Sequence, residues 1–177
     1  MTPGSSGFFR RQVEANTEAL VWAVGEVGEA RLHVSPPVLL GEWPAARHLF
    51  HLLYYEREVA LPSLRLWFGA SYPGFEGYDE PAAWAGAPHT ESVLAQIEGL
   101  RAEQLDFIAR ADDALWAEVR HTPWGERTLY WVASKTLQHA LEHTNNLLKI
   151  ALLWEHYEAR SRRKATQAAR ADDKEIE

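Results

Sequence analysis

The sequence predicts an all-α protein built as a four-helix bundle, and three observations support this. Four segments carry apolar residues at helical spacing, and none shows the alternation that predicts a β-strand with any strength. Glycine and proline concentrate between the segments, as they do in loops. The chain has 177 residues, of which 46% are hydrophobic. That is enough apolar material for one domain with its own core, and a bundle is the usual way in which four helices bury their apolar faces.

Composition excludes several classes of function. The formal net charge is −7, so there is no global attraction to nucleic acid or to an anionic membrane. The chain has no cysteine, which excludes a disulfide, a thiolate ligand and a cysteine nucleophile. No window approaches the ~20 apolar residues of a membrane span, and the first residues lack the apolar region of a signal peptide. We therefore expect a cytoplasmic protein that binds neither nucleic acid nor membrane.

The first helix is predicted over residues 7–27, where apolar side chains recur at helical spacing. These side chains are Phe9, Val13, Leu20, Val24 and Val27. Ser5 or Ser6 is expected to cap its N-terminus. Residues 28–43 contain a Pro-Pro pair, so they are predicted to form a connector without a helix.

The second helix is predicted to begin at Trp43 and Pro44 and to reach residue 68. Proline suits the first helical position, because the N–H group there has no intrahelical partner. Pro62 lies inside this run, which predicts a kink or a break. Apolar residues fall almost all round the helix, which predicts substantial burial.

Residues 69–89 are dense in glycine and proline and are predicted to form a long loop. A loop of this length in a compact domain is usually functional or covers another part of the molecule. Its aromatic residues Phe75, Tyr78 and Trp84 could line a pocket, or they could anchor the loop to the surface.

The third helix is predicted over residues 90–110. Its period is kept by Val93, Ile97, Leu100, Gln104 and Ile108. Asp112 or Asp113 is expected to cap a short helical turn that follows, and the Trp-Gly pair at residues 124–125 predicts a turn.

The fourth helix is the longest and is predicted over residues 128–160. Residues 161–177 are polar and alternate in charge, which predicts a solvated helical extension or a disordered tail. The expected organisation is therefore a helical domain over residues 1–160 followed by a charged tail.

Two of the eight histidines lie on the predicted inner face of the fourth helix. A helical wheel at 100° per residue places seven residues on that face. They are Val132, Thr136, His139, His143, Leu147, Ile150 and Trp154. The rings of His139 and His143, one turn apart, could converge on a metal ion. They could also be core histidines that are hydrogen bonded without a metal.

A third ligand would have to come from another helix. His48 and His51 lie three residues apart on the second helix, and either could face the bundle axis. Because that helix is apolar nearly all round, its pattern does not choose between them.

The run WPAARHLFHL at residues 43–52, continued by Glu-Arg-Glu at 56–58, resembles the second-helix signature of the DinB/YfiT-like superfamily. In that family a tryptophan opens the helix and a histidine follows eight residues later, which matches Trp43 and His51. Pro44 departs from the family, which usually has a small hydroxyl residue there. This difference affects how the helix is capped and leaves the histidines unchanged.

The last helix of the family carries an H-x-x-x-H pair, which matches His139 and His143. The resemblance covers the order of elements over residues 7–157, and His48 is an addition to it. The resemblance implies an up-down-down-up bundle in which His51, His139 and His143 hold a divalent ion, zinc or nickel. The characterised branches of the family include thiol-dependent S-transferases and isomerases, and many of its members have no assigned activity.

A divalent ion held by three imidazoles would keep an open position for a water or a substrate thiol. The expected function is therefore a metal-dependent transferase or hydrolase that acts on a small molecule, with a low-molecular-weight thiol as a possible partner. The alternative is a non-catalytic, stress-related metal or small-molecule binding protein. A fourth protein ligand such as His48 would favour the alternative, and a loop folded over the ion would favour the enzyme.

Ligating histidines normally donate their second N–H to a neighbouring group. The candidates for this role, or for a catalytic one, are His48, Tyr55, Glu142 and Asn146.

A second apolar stripe on the fourth helix lies opposite the histidines and predicts a homodimer. It consists of Tyr130, Leu137, Leu141, Leu148 and Leu152.

Overall fold

The computed structural model describes residues 5–71, 79–85 and 90–175. Within these ranges the chain forms α-helices joined by short turns, together with one small hairpin. The helices are α1 (Ser5–Val27), α2 (Glu29–Leu32), α3 (Ala45–Tyr55), α4 (Leu61–Arg65), α5 (Glu80–Ala85), α6 (Thr90–Arg110), α7 (Asp113–Ala117) and α8 (Leu129–Glu175). The hairpin strands are β1 (Val119–Thr122) and β2 (Gly125–Thr128).

Two apolar clusters, one at each end of the bundle, define the direction of every long helix. The first cluster joins Leu20–Val27 of α1, residues 45–53 of α3, residues 93–97 of α6 and residues 140–154 of α8. The second joins residues 9–13 of α1, residues 64–67 at the end of α4 and just beyond it, residues 108–111 at the end of α6, and residues 129–137 of α8. Helices α1 and α8 therefore run towards the first cluster, whereas α3–α4 and α6 run away from it. This is the predicted up-down-down-up bundle.

Each long helix packs mainly on two others. Helix α1 packs on α6 and α8, and α3 packs on the same two. Helices α1 and α3 thus occupy opposite corners, and α3 faces α8 along the interior. That contact brings together the two helices that carry the candidate histidines.

The first helix is longer than predicted at its N-terminus. Both Ser5 and Ser6 lie inside it, so the prediction that one of them is the N-cap is wrong. The hydroxyl group of Ser6 instead donates to the carbonyl oxygen of Ala111 at 3.0 Å and accepts from Nε1 of Trp116 at 2.9 Å. The Ser6 hydroxyl group therefore forms tertiary hydrogen bonds and does not cap the helix.

The connector over residues 28–43 contains two short helical pieces, so the prediction that it lacks a helix is wrong. Gly28 has a φ of 71°, which ends α1 and lets α2 begin one residue later. A single 3₁₀ turn follows at Val38–Leu40. Both pieces lie against the bundle through Leu32 and Leu40, which are buried.

The second helix is interrupted before Pro62. Pro44 is extended, with φ −63° and ψ 157°, so α3 starts at Ala45 and Pro44 is not the first helical residue. A π-helical turn at Glu56–Ala60 separates α3 from α4. Pro62 cannot donate to the carbonyl group four residues earlier, and the wider turn accommodates this missing bond. The predicted break is therefore present as a π turn.

The hairpin corrects the prediction that the chain has no β-strand. Val119 pairs with Thr128 and Thr122 with Gly125 in antiparallel register. Gly125 has a φ of 83°, which fits the turn predicted from the Trp-Gly pair. Four-residue strands rich in charged side chains show too little alternation for sequence analysis to detect.

Helix α5 lies inside residues 69–89, which were predicted to form a loop, so that prediction is wrong over residues 80–85. Helices α6, α7 and α8 begin within one residue of their predicted starts. Helix α6 has the predicted bounds, and Asp112 caps α7 by accepting from the Leu115 amide at 2.8 Å. Helix α8 continues to Glu175, which is the helical alternative for the predicted tail. None of the described helices combines the length and the apolar character needed to cross a membrane.

Candidate metal centre

Four histidines from two helices meet in the interior of the bundle. His48 and His51 belong to α3, and His139 and His143 belong to α8. The predicted inner face of α8 is confirmed, since its members are buried except for the half-buried His139. The exposed fractions of His48 and His143 are 7% and 8%.

Three of the four rings surround one point. Nε2 of His51 lies 3.1 Å from Nε2 of His139. The ring centroids of His51 and His143 are 4.6 Å apart, and those of His139 and His143 are 4.7 Å apart. One nitrogen from each of these rings lies within 4.8 Å of the other two. The family resemblance implied that these three histidines are metal ligands, and the structure brings them together.

Glu80, on the short helix α5, fixes the orientation of His51. Its Oε2 atom lies 2.7 Å from Nδ1 of His51, and its Oε1 atom pairs with Arg47 at 2.8 Å. A carboxylate only accepts hydrogen bonds, so Nδ1 of His51 carries the proton. In the neutral ring the lone pair is then on Nε2, the atom that faces His139.

His48 makes a different contact from the other three histidines. Its Nδ1 atom lies 3.1 Å from Nδ1 of His143. Because this contact occupies Nδ1 of His143, Nε2 is the nitrogen of that ring that remains for a cation. His48 lies outside the group of three that could share an ion, so it is a neighbour of a candidate ligand.

The buried histidines are held in their neutral forms. Loss of hydration on burial, reinforced by the charge of His51, lowers the pKa of His48 to about 4 and that of His139 to about 4. Burial and the neighbouring histidines lower the pKa of His143 to about 3. Metals bind the neutral imidazole. At neutral pH these rings therefore need to lose no proton before they can bind a cation.

The other three candidates for supporting roles differ in position. The ring of Tyr55 stacks on that of His139, with centroids 3.8 Å apart and planes at 28°. Glu142 is exposed and lines a surface groove with Phe8 and Leu141, so it points away from the histidines. Asn146 is half-buried, and no hydrogen bond joins it to the cluster within the described part of the chain.

An aromatic wall covers the cluster at the start of α3. The ring of Trp43 lies 5.3 Å from that of His48 and 5.4 Å from that of His51. The Arg47 guanidinium lies between the indoles of Trp43 and Trp84, 5.1 Å from each centroid. Of the aromatic residues predicted to line a pocket from the loop, Trp84 is therefore next to the site. Phe75 and Tyr78 lie outside the described residues.

Two residues next to the site, Glu80 and Arg47, were not predicted from the sequence. Glu80 is 29 residues from His51 in the chain, and only the fold brings them together. One signal was available, because a carboxylate directly before Pro81 inside a Gly/Pro-rich stretch is typical of a helix start. That signal predicts a short helix and says nothing about which ring the carboxylate meets.

The residues present fit a divalent cation. Two ligand nitrogens on a tetrahedral zinc ion, each about 2.0–2.1 Å from it, lie roughly 3.3 Å apart. The Nε2 atoms of His51 and His139 are 3.1 Å apart. Nδ1 of His139 is buried without a hydrogen-bond partner among the described residues, so it can carry the ring proton when Nε2 binds a cation. The described residues supply three ligands to this point and no fourth.

Comparison with known proteins identifies the family and a similar fold. No curated protein matches the sequence significantly. Among solved structures, YfiT from Bacillus subtilis is similar in fold, with a TM-score of 0.67 at 16% sequence identity. The match covers 85% of this chain and 88% of YfiT, which is described as a probable metal-dependent hydrolase with an unusual four-helix bundle topology. The family model of the DinB superfamily matches residues 12–147, and the chain therefore belongs to that superfamily.

Proposed function

We propose that the protein is a metal-dependent enzyme of the hydrolase or thiol S-transferase type, with His51, His139 and His143 as the ligands of a divalent ion. The observation that carries the proposal is the convergence on one point of three imidazoles from two helices, one buried and two half-buried. The description of YfiT as a probable metal-dependent hydrolase supports the same class of chemistry. Zinc and nickel are the ions that we expect, because both accept imidazole ligands.

When bound, a divalent cation would act as a Lewis acid and lower the pKa of a water or a thiol. The residues of the chain bind it and shape its surroundings. Imidazole ligands carry no charge of their own, so His51, His139 and His143 would leave the full charge of the ion available to a substrate. The ring of Tyr55 stacks on that of His139, and the ring of Trp43 lies 5.4 Å from that of His51.

A non-catalytic role would be expected of an ion that the protein encloses with four ligands. His48 was the candidate fourth ligand, but its Nδ1 contacts the outer nitrogen of His143. Glu80 bonds to the outer nitrogen of His51. Both groups therefore support ligands, and within the described part of the chain a coordination position is left open, which favours an enzyme over a binding protein.

The substrate is expected to be a small molecule. The chain has no cysteine, so in a thiol transfer the thiol would have to arrive on a substrate. A low-molecular-weight thiol and an electrophile would then meet at the open position. In a hydrolase, water would take the place of the thiol.

Activity assays with a matched pair of histidine variants test this proposal. The untagged protein, purified without chelator, is assayed with a panel of low-molecular-weight thiols plus an electrophile, and with a panel of ester and amide substrates. We expect a turnover that chelation abolishes and that the divalent ion restores. His139→Ala should lose it, and His33→Ala, which changes an exposed histidine, should keep it. Metal bound at one ion per chain without turnover in either panel would favour the non-catalytic binding protein.

We also propose that the protein forms a homodimer through the second stripe of α8. Three of its residues remain accessible in the single chain, since Tyr130 is 42%, Leu141 38% and Leu152 63% exposed. The other two members depart from the prediction, because Leu137 is buried in the core at 8% and Leu148 is half-buried and packs against the core. The neighbouring helix α1 adds the exposed side chains of Phe8 and Trp22, so the accessible apolar surface is larger than the stripe alone.

A further inference from the structure

Glu80 is buried, which is unusual for a carboxylate side chain. Its exposed fraction is 7%, and it belongs to a helix of six residues in the connection between α4 and α6. A buried carboxylate is stabilised only if other groups replace its lost hydration. Among the described residues, Arg47 pairs with Oε1 of Glu80 and His51 with Oε2.

The two partners of Glu80 come from adjacent turns of one helix. Arg47 and His51 are four residues apart on α3, so their side chains project from the same face. The Arg47 guanidinium is also held between the indoles of Trp43 and Trp84. This packing fixes Arg47, Arg47 fixes one oxygen of Glu80, and the other oxygen is left facing His51. The carboxylate is thus held in place from the side away from the histidine cluster.

A neutral imidazole has two tautomers, and only one presents a lone pair at Nε2. The contact with Glu80 requires the proton on Nδ1 of His51, since the distance of 2.7 Å is a hydrogen bond to an acceptor. Without this contact the ring could carry its proton on Nε2 and turn about its side-chain bonds. In that state Nε2 could not bind a cation.

We propose that Glu80 is a positioning residue for the metal centre: it holds His51 in the Nδ1–H tautomer and aims Nε2 at the point shared with His139 and His143. This inference rests on the proposed function, because it assumes that the three histidines bind a divalent ion. It assigns a role in that site to the connection between α4 and α6.

Two measurements on the full-length protein test the proposal. The first is the affinity for Zn²⁺ alone, obtained by competition with a chromophoric chelator. Removing an outer partner of a ligating histidine typically weakens metal binding by about 10–100-fold. We expect a loss in that range for Glu80→Ala. We expect a smaller loss for Glu80→Gln, because its amide oxygen can still accept from Nδ1–H.

The second measurement reports the tautomer directly. Long-range ¹H–¹⁵N NMR of the metal-free protein distinguishes protonated from unprotonated ring nitrogens, and His51 is assigned by the loss of its signals in His51→Gln. We expect a single Nδ1–H form in the wild type and a mixture of forms in Glu80→Ala. A purely structural role for Glu80 would not change this spectrum.

Glu103→Gln is the matched control. Glu103 also bridges an arginine through both oxygens, since Arg65 donates to it twice at 2.8 Å, and no histidine contacts it in the described structure. It should leave affinity and tautomer unchanged, and circular dichroism checks that each variant folds. If Glu80→Ala does not fold, Glu80→Met takes its place, because its side chain is similar in length but cannot accept a normal hydrogen bond from Nδ1–H.

Unchanged Zn²⁺ affinity in Glu80→Ala, or a weaker affinity of that variant with an unchanged His51 tautomer, would overturn the positioning role and leave the proposed function standing. A wild-type protein that binds no divalent ion would overturn the proposed function and the metal-directed role together. The NMR spectrum would still show whether Glu80 sets the tautomer of His51.

Discussion

Nδ1 of His48 and Nδ1 of His143 face each other at 3.1 Å in the bundle interior. One of these nitrogens must carry the proton that the other accepts. If His143 is the donor, its Nε2 has a free lone pair and His48 acts as the outer partner of a ligand. If His48 is the donor, His143 would carry its proton on Nε2 and could not bind an ion there. The metal-bound site therefore requires His143 to donate.

We expect His48→Phe to weaken Zn²⁺ binding by about tenfold and to keep one binding site per chain, because His48 supports a ligand without being one. His143→Phe should remove high-affinity binding altogether. Titration of the metal-free protein with Zn²⁺ in the presence of a competing chelator measures both numbers. Complete loss of the site in His48→Phe would show that His48 is itself a ligand.

Stability of the metal-free protein should fall as the pH is lowered below about 6.5. In the unfolded chain a histidine titrates near 6.5, but in the fold the pKa of His139 is about 4 and that of His143 about 3. Between these values the unfolded chain binds more protons than the folded chain, so the free energy of unfolding rises with pH. The penalty is absent above about pH 7 and grows as the pH falls towards 4.

Urea unfolding at pH 7, 6 and 5 measures this dependence. Burial raises the pKa of Glu56, although Arg101 opposes this shift. A carboxyl group whose pKa is raised in the fold increases stability as the pH falls, so its effect opposes that of the histidines. Comparison of the wild type with His143→Gln isolates the contribution of one histidine. The variant should show the shallower loss of stability towards low pH, and equal pH slopes for the two proteins would contradict the assignment.

Much of the fold and part of the site could be predicted from the sequence. The inner face of α8 was predicted because the 3.6-residue period is a local property, and Val132, Leu147 and Ile150 are indeed buried. The helical period did not distinguish His48 from His51 as the inward-facing ligand, because α3 is buried on almost every side. The resemblance to the family indicated His51 as the ligand. In the structure, His48 contacts His143, whereas His51 contacts Glu80.

Glu80 could not be predicted because its two partners come from another helix, whereas its own local pattern only marks a helix start. The hairpin was missed for a related reason. Its strands are short and polar, and its tip is held by Trp124, which packs against the cluster of Tyr55, Val59 and Ala60. These features depend on tertiary contacts, which act between segments that are distant in the chain.

Arg101→Met should destabilise the fold by about 3–5 kcal/mol, because it leaves the carboxylate of Glu56 buried without its charged partner. The Glu56 and Arg101 side chains are 1% and 3% exposed and meet at 2.9 Å. Arg10→Met is the matched control, since its pair with Glu14 is largely exposed at 63% and 46%, and such pairs contribute roughly 0–1 kcal/mol. Chemical denaturation compares the two, and equal losses would contradict a structural role for the buried pair.

The second stripe of α8 predicts a dimer at micromolar concentration, measured by sedimentation velocity. Leu141→Glu should produce a monomer, because it places a charge in the apolar contact. Glu158→Gln, on a half-buried position of the same helix, should leave the association unchanged. A wild-type protein that sediments as a monomer at these concentrations would contradict the proposed interface.

The account as a whole depends on three imidazoles that share one cation. The most direct measurement is anomalous diffraction from crystals grown with Zn²⁺ or Ni²⁺ in excess. We predict a single anomalous peak about 2.0–2.1 Å from one nitrogen each of His51, His139 and His143. Rings that keep the separation of 3.1 Å between Nε2 atoms, with no peak between them at saturating metal, would contradict the proposed metal centre.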